Sequence, residues 1–218
     1  MNKMVEKDNF FDACVILGFG LYIEKINNLI NKKCYKFVMA KDSKYIICHA
    51  VIRELNNFIE ARKIIIYEVV NKIKDINYEI GTSEIAIKNL SKNEINKAKQ
   101  LYEKLKNRKI EEVSEMLISE LTTLEIRIDQ FLKFKVDEKV ILISEINNSL
   151  ISMLHDLIDN YSDCRIFASA IQEQEKRAIF LFVTKDREHF NPNAYDFIKE
   201  DPRFEGYKFP ELKNLYFD

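Results

Sequence analysis

Six consecutive apolar residues, AIFLFV at positions 178–183, lie between Lys176-Arg177 and Lys185-Asp186. A strand that is apolar on every residue, with no alternation, must be covered on both faces, and helices packed on both sides of a parallel sheet supply that cover. Asn9–Phe11 leading through Asp12 into Ala13–Leu17 reads as a short buried strand, and a short apolar run at 45–48 is a further strand candidate followed by residues with helical spacing. Strands alternating with helices predict βαβ units, in which ligands bind beyond the carboxyl ends of the strands.

A second feature is the absence of chain breakers. Residues 82–160 contain neither Gly nor Pro, and the whole chain of 218 residues has only 4 Gly and 3 Pro. Apolar residues recur there at helical spacing, through Ile87, Leu90, Ile95, Ala98 and Leu101, and again through Val113, Leu117, Leu121 and Leu124. About three long amphipathic helices are predicted. Thr82 and Ser91 are candidate N-caps, and Glu94 after Ser91 completes a capping-box pattern. Residues 51–59 also read as helix, residues 23–30 carry helical spacing, and residues 195–199 form one helical stretch in a tail otherwise read as loop. Residues 36–39 are a further strand candidate, and residues 64–67 are ambiguous.

The formal charge of −1 excludes a fold-wide basic field, so any nucleic-acid contact must come from local patches. Cys14, Cys34, Cys48 and Cys164 show no C-x-x-C spacing, which predicts reduced thiols in a cytoplasmic protein, with neither a zinc knuckle nor a disulfide framework. No apolar run reaches the ~20 residues of a membrane span, and the polar N-terminus lacks a signal-peptide core.

Four acidic residues stand out by position. Asp12 follows Phe10-Phe11, Glu54 sits between apolar neighbours in a predicted helix, Asp163 opens another helix for which Ser162 is the candidate cap, and Asp186 follows the apolar strand. Taken singly, each has an ordinary role as a turn former, helix cap or exposed helical residue. Together, on parallel strands, they would meet at one sheet edge. Clustered carboxylates repel each other, and a hard divalent cation such as Mg²⁺ neutralises them.

The segments FFDACVI, HAVIREL, YSDCRIFASAI and FLFVTKDREHF occur in one order, and they resemble the four acidic motifs of PIN domains, including the VapC-type toxins of toxin–antitoxin pairs. Asp12-Ala13 matches the first motif and Ile52-Arg53-Glu54-Leu55 the second. Asp163 with Ala168-Ser169-Ala170 matches the third, and Thr184-Lys185-Asp186 with Phe190 the fourth. The resemblance covers about 9–55 and 160–212. It implies one α/β domain of three layers with a mainly parallel sheet, built from about 1–80 and 160–218, with about 82–160 as a helical insertion. It implies a metal-dependent endoribonuclease in which Asp12, Glu54, Asp163 and Asp186 bind Mg²⁺ or Mn²⁺. Glu188 would be an accessory ligand, and Thr184 would hold a water or a carboxylate through its hydroxyl.

RNA contacts would fall to Arg53, Arg165, Lys185 and Arg187, which flank the acids. The run Lys104, Lys106, Arg108, Lys109 is a second candidate phosphate-contacting patch, but it is interleaved with Glu103, Glu111 and Glu112 and reads as plain surface. His49, His155 and His189 read as surface or packing residues, with His189 the nearest to substrate. The implied partners are RNA, a small antitoxin protein and a second copy of the chain. The alternative is a catalytically silent PIN-fold scaffold that binds RNA or protein through its helical insertion. A haloacid-type phosphatase is disfavoured because Asp12-Ala13-Cys14 lacks D-x-D.

Overall fold

The computed structural model describes residues 8–22, 28–40, 43–177 and 179–217. Contacts divide the chain into two compact units: Met1–Leu55 with Arg127–Asp218, and Asn56–Ile126.

The first unit is an α/β unit around an all-parallel sheet of β1 (Asp8–Phe11), β2 (Lys44–Cys48), β3 (Glu138–Val140), β4 (Ile179–Thr184) and β5 (Glu211–Asn214), in the order β3-β2-β1-β4-β5. Its helices are α1 (Ala13–Gly20), α2 (Leu29–Ala40), α7 (Asn148–His155), α8 (Tyr161–Lys176) and α9 (Pro192–Glu200). Successive residues of a strand point to opposite faces, and β1 shows both covers. Phe11 packs with its ring centroid 5.9 Å from Phe37 of α2, while Phe10 lies 6.3 Å from Phe182, which in turn meets Phe167 of α8 at 5.1 Å. The sheet is thus the middle of three layers, and Phe182 and Val183 of the apolar run are fully buried.

Register brings the strand ends level. Phe11 pairs with Val183, and Phe10 with Ile46. The backbone N–H of Asp12 donates to the carbonyl of Val183 at 3.0 Å. The carboxyl ends of β1, β2 and β4 therefore share one edge, and α1, α3 (His49–Lys74) and the loop after β4 all begin there. Where α1 passes α2 the approach requires Gly18: a Cβ at this position would lie 2.7 Å from Cys34 Sγ.

The second unit is helical. It contains the later part of α3, α4 (Glu84–Asn89), α5 (Lys92–Leu105) and most of α6 (Ile110–Phe134). Its own core includes Ile65, Val69, Ala86, Ala98, Val113 and Leu117. Ser91 and Glu94 form the full capping box at the start of α5. Ser83, not Thr82, caps α4.

Several local readings change. Residues 13–17 belong to a helix capped by Asp12, since Asp12 is extended and accepts from the N–H of Cys14. Residues 36–39 and 64–67 are helical, lying within α2 and α3: only Val38 of the first run is buried, and Ile64, Ile65 and Ile66 of the second are buried while Tyr67 is exposed. The N-cap of α8 is Asn160, ahead of Ser162. The sequence reading placed a helical insertion at about 82–160, whereas the helical unit spans Asn56–Ile126, and residues 127–160 supply β3 and α7 to the sheet unit. The helical reading at 23–30 includes residues 23–27, and the strand reading at 178–183 includes Ala178; these lie outside the described residues. Among the described residues no helix is long and apolar enough to cross a membrane.

Candidate metal centre

Asp12 is the innermost acid, only 4% exposed. It stands in the gap between the end of β1 and the start of α1. Its Oδ2 accepts from the hydroxyl of Thr184 at 2.7 Å and from the thiol of Cys14 at 2.8 Å. Burial pushes the Asp12 carboxyl above its ordinary range; these hydrogen bonds oppose the shift and the charge of Asp186 adds to it.

Thr184 closes β4 with no exposure at all, and its hydroxyl serves two acids. It donates to Asp12 and accepts the backbone N–H of Asp186 at 3.0 Å. This is a physical reason for Thr two residues before Asp: one hydroxyl sets the distance between two loops.

Asp186 accepts through Oδ1 from the N–H groups of Glu188 and His189, both at 2.7 Å. That turn commits one oxygen to the backbone. The other, Oδ2, lies 3.8 Å from His189 Nδ1. Asn214, at the end of β5, clamps the same loop by donating to the carbonyls of Asp186 and Phe190 at 2.5 and 2.7 Å.

Asp163, in the first turn of α8, lies with Oδ2 3.0 Å from His189 Nδ1. Burial comes first in raising its carboxyl to about 8, followed by the charges of Asp12, Glu54 and Asp186. Glu54, on the second turn of α3, is raised to about 7 by burial and then by Asp12, while a 2.8 Å hydrogen bond from the Ser162 hydroxyl opposes the shift.

Residues 12, 54, 163 and 186 thus come from four separate segments and act on one another electrostatically. Asp163, Asp186 and His189 each offer one ligand atom, all within 4.8 Å of one another, and could hold a metal ion. The donor chemistry fits a divalent ion that takes carboxylate oxygen and tolerates imidazole.

The other candidate residues are placed differently. Glu188 is exposed, and its backbone serves the Asp186 turn. Arg53 is exposed. Arg165 lies over the Tyr161 ring at 4.4 Å, and Arg187 stands 5.8 Å from the Tyr216 ring centroid. Lys185 turns toward α2, where Nζ donates to Asn31 Oδ1 at 3.3 Å. The cations that flank the acids in sequence thus take up separate contacts of their own.

Three contributors escaped the sequence reading. His189 joins Asp163 and Asp186, and its signal was the Asp-x-x-His spacing, which lets a turn bring the ring back over the carboxylate. Cys14, read as an inert buried thiol, is half-buried and bonds Asp12. Asn214 had no signal, because its strand was read as loop.

No protein-family model matches the chain, and neither a curated protein nor a solved structure matches it.

Proposed function

We propose that the chain is a PIN-type, metal-dependent endoribonuclease. The observation that carries this reading is the convergence of Asp12, Glu54, Asp163 and Asp186 at the carboxyl edge of a parallel sheet, where burial first and neighbouring acids second raise the Asp12, Glu54 and Asp163 carboxyls. A site that crowds negative charge, with no Lys or Arg ion pair to these four acids among the described residues and only the His189 ring beside them, is built to receive cations.

In this reading Asp163, Asp186 and His189 are the direct ligands, and Asp12 and Glu54 complete the negative wall. The ion, Mg²⁺ or Mn²⁺, supplies a water of lowered pKa and charge stabilisation for phosphodiester hydrolysis. Thr184 holds Asp12 and the Asp186 loop in mutual register. Ser162 orients Glu54, the acid of ordinary carboxylate chemistry best placed to exchange a proton near neutral pH. The products would be a 5′-phosphate and a 3′-hydroxyl. A toxin role would add a small antitoxin protein over the acidic edge, and a homodimer is the assembly that the resemblance suggests.

The test is cleavage of single-stranded and structured RNA with Mn²⁺, comparing wild type with Asp12→Asn. We expect metal-dependent cleavage that falls by at least about 100-fold in the variant, since removing one catalytic group commonly costs 10²–10⁴. Circular dichroism should show the fold retained. Equal activity in the variant removes Asp12 from the mechanism. Absence of cleavage on every substrate moves the weight to the scaffold alternative.

A further inference from the structure

Asn56–Ile126 balances twelve Lys and Arg against twelve Asp and Glu, but its positive charge is gathered in one stretch. Residues 88–109 hold seven Lys and Arg108 against two carboxylates, Glu94 and Glu103, a net of +6 in a chain of −1. All eight cations are exposed. Among the described residues only Lys106 of the eight has an ion pair, with Glu103 at 2.7 Å. The remaining seven are thus uncompensated, unlike Lys63, which is paired with both Glu60 and Glu125 in the same unit.

Beside this charge lies a cavity of about 770 Å³, whose walls include Tyr78, Ile80 and Tyr102 with Lys72, Lys99 and Lys104 around them. Both rings are anchored. The hydroxyl of Tyr78 donates to the buried Glu68 carboxylate at 2.7 Å, and Lys72 Nζ stands 5.8 Å from the Tyr102 ring centroid. Two acids, Glu79 and Glu103, also line the cavity. Glu103 is the one neutralised by Lys106.

Lysines tracking a backbone beside aromatic rings that accept bases are the two elements of single-strand recognition. A duplex would offer phosphates to the lysines but would keep its bases stacked and out of reach of the tyrosines. We propose that this face of the helical unit holds single-stranded RNA, with phosphates on the α5 lysines and a base in the Tyr78–Tyr102 cavity. The choice of RNA among polyanions rests on the ribonuclease reading above; the charge and the cavity do not.

The test is equilibrium binding of a fluorescent single-stranded RNA of about 12 nucleotides to the full-length protein in EDTA, so that cleavage plays no part. The comparison is wild type against the triple variant K97Q/K99Q/K104Q, whose sites are exposed. We expect the variant to bind at least about tenfold more weakly near 50 mM salt. The slope of log affinity against log salt should fall by about two, at roughly 0.7 per lost phosphate contact. Photocrosslinking of 4-thiouridine RNA should mark the peptides that carry Tyr78 or Tyr102. Unchanged affinity and slope in the variant, or no binding by wild type at that salt, overturns the proposal. Crosslinks confined to residues 161–190 also overturn it, and equal affinity for single-stranded DNA overturns the assignment to RNA. Cleavage with Mn²⁺ is read separately: if it is absent while the binding defect and crosslinks appear, the nuclease reading fails and the binding surface is supported.

Discussion

Glu68 in the helical unit and Asp12 in the sheet unit are both carboxylates removed from solvent, 0% and 4% exposed. Their surroundings are opposite. Glu68 stands alone among donors: the Tyr78 hydroxyl at 2.7 Å, the Gly81 N–H at 2.6 Å and the Ser83 hydroxyl. Gly81 has φ +91°, and a Cβ there would meet Ile95 at 2.8 Å, so this turn needs glycine both for its backbone and for its space. One charge matched by three donors fastens a loop to a helix. Asp12 instead belongs to a group of four acids whose charges act on one another, with donors for only part of their oxygen atoms. The difference is between an acid used as structure and acids held against their own repulsion. Only protons or a cation can neutralise the second kind.

The comparison breaks first at Glu68. Glu68→Leu leaves three buried donors without their acceptor, and each costs of order 1 kcal/mol or more. We expect a loss of about 3 kcal/mol and a melting temperature lower by about 10 °C, measured by circular dichroism. A drop of less than about 2 °C would show that Glu68 fastens nothing.

A pH series sharpens the other side. The Glu54 and Asp163 carboxyls are raised to about 7 and about 8. In the unfolded chain both sit near 4, so between these limits the folded state holds more protons than the unfolded one. Stability contributed by these groups is therefore complete only below about pH 4 and is lost as pH rises through about 7 and 8. Without metal, the melting temperature should fall by roughly 5–8 °C across that range, a cost of about 2–3 kcal/mol. Added Mn²⁺ should restore it more at pH 8 than at pH 5. A metal effect equal at both values would separate the ion from these acids.

The smallest effect belongs to Asp163→Asn. Removing one repelling charge should stabilise the metal-free protein at pH 8 by about 1 kcal/mol, a rise of roughly 2–4 °C. The same variant should lose most of the Mn²⁺-induced shift. Glu68 and Asp163 would then give opposite signs on losing a carboxylate, and the same sign would end the contrast between them.

Legibility in the sequence followed the range of the interactions. The strand at 179–184 was legible because an unbroken apolar run needs two covered faces. The capping box of Ser91 and Glu94 was legible because it closes within one turn. The four acids could be read as members of one edge because each sits just beyond a strand or early in a helix. The run at 36–39 was misread because Phe37-Val38-Met39 alone fits a short strand, while its place in a helix shows only over the longer span of Leu29–Ala40. The extent of the helical region was misread because residues 127–160 carry helical spacing, while β3 within them is three residues long and is held by distant partners, the β2 strand and Arg177 on Glu138.

By itself the chain determined some local order: the capping box at Ser91, the strand at β4, and which acids follow strand ends or open helices. Those are matters of neighbouring residues and of periodicity. Tertiary structure alone decided that Thr184 bridges Asp12 and Asp186, that His189 turns back to Asp163, and that Asn214 holds their loop. Those contacts depend on the parallel register of β1, β4 and β5, which is set by long-range backbone hydrogen bonds and by core packing on both faces of the sheet, and no local pattern encodes it.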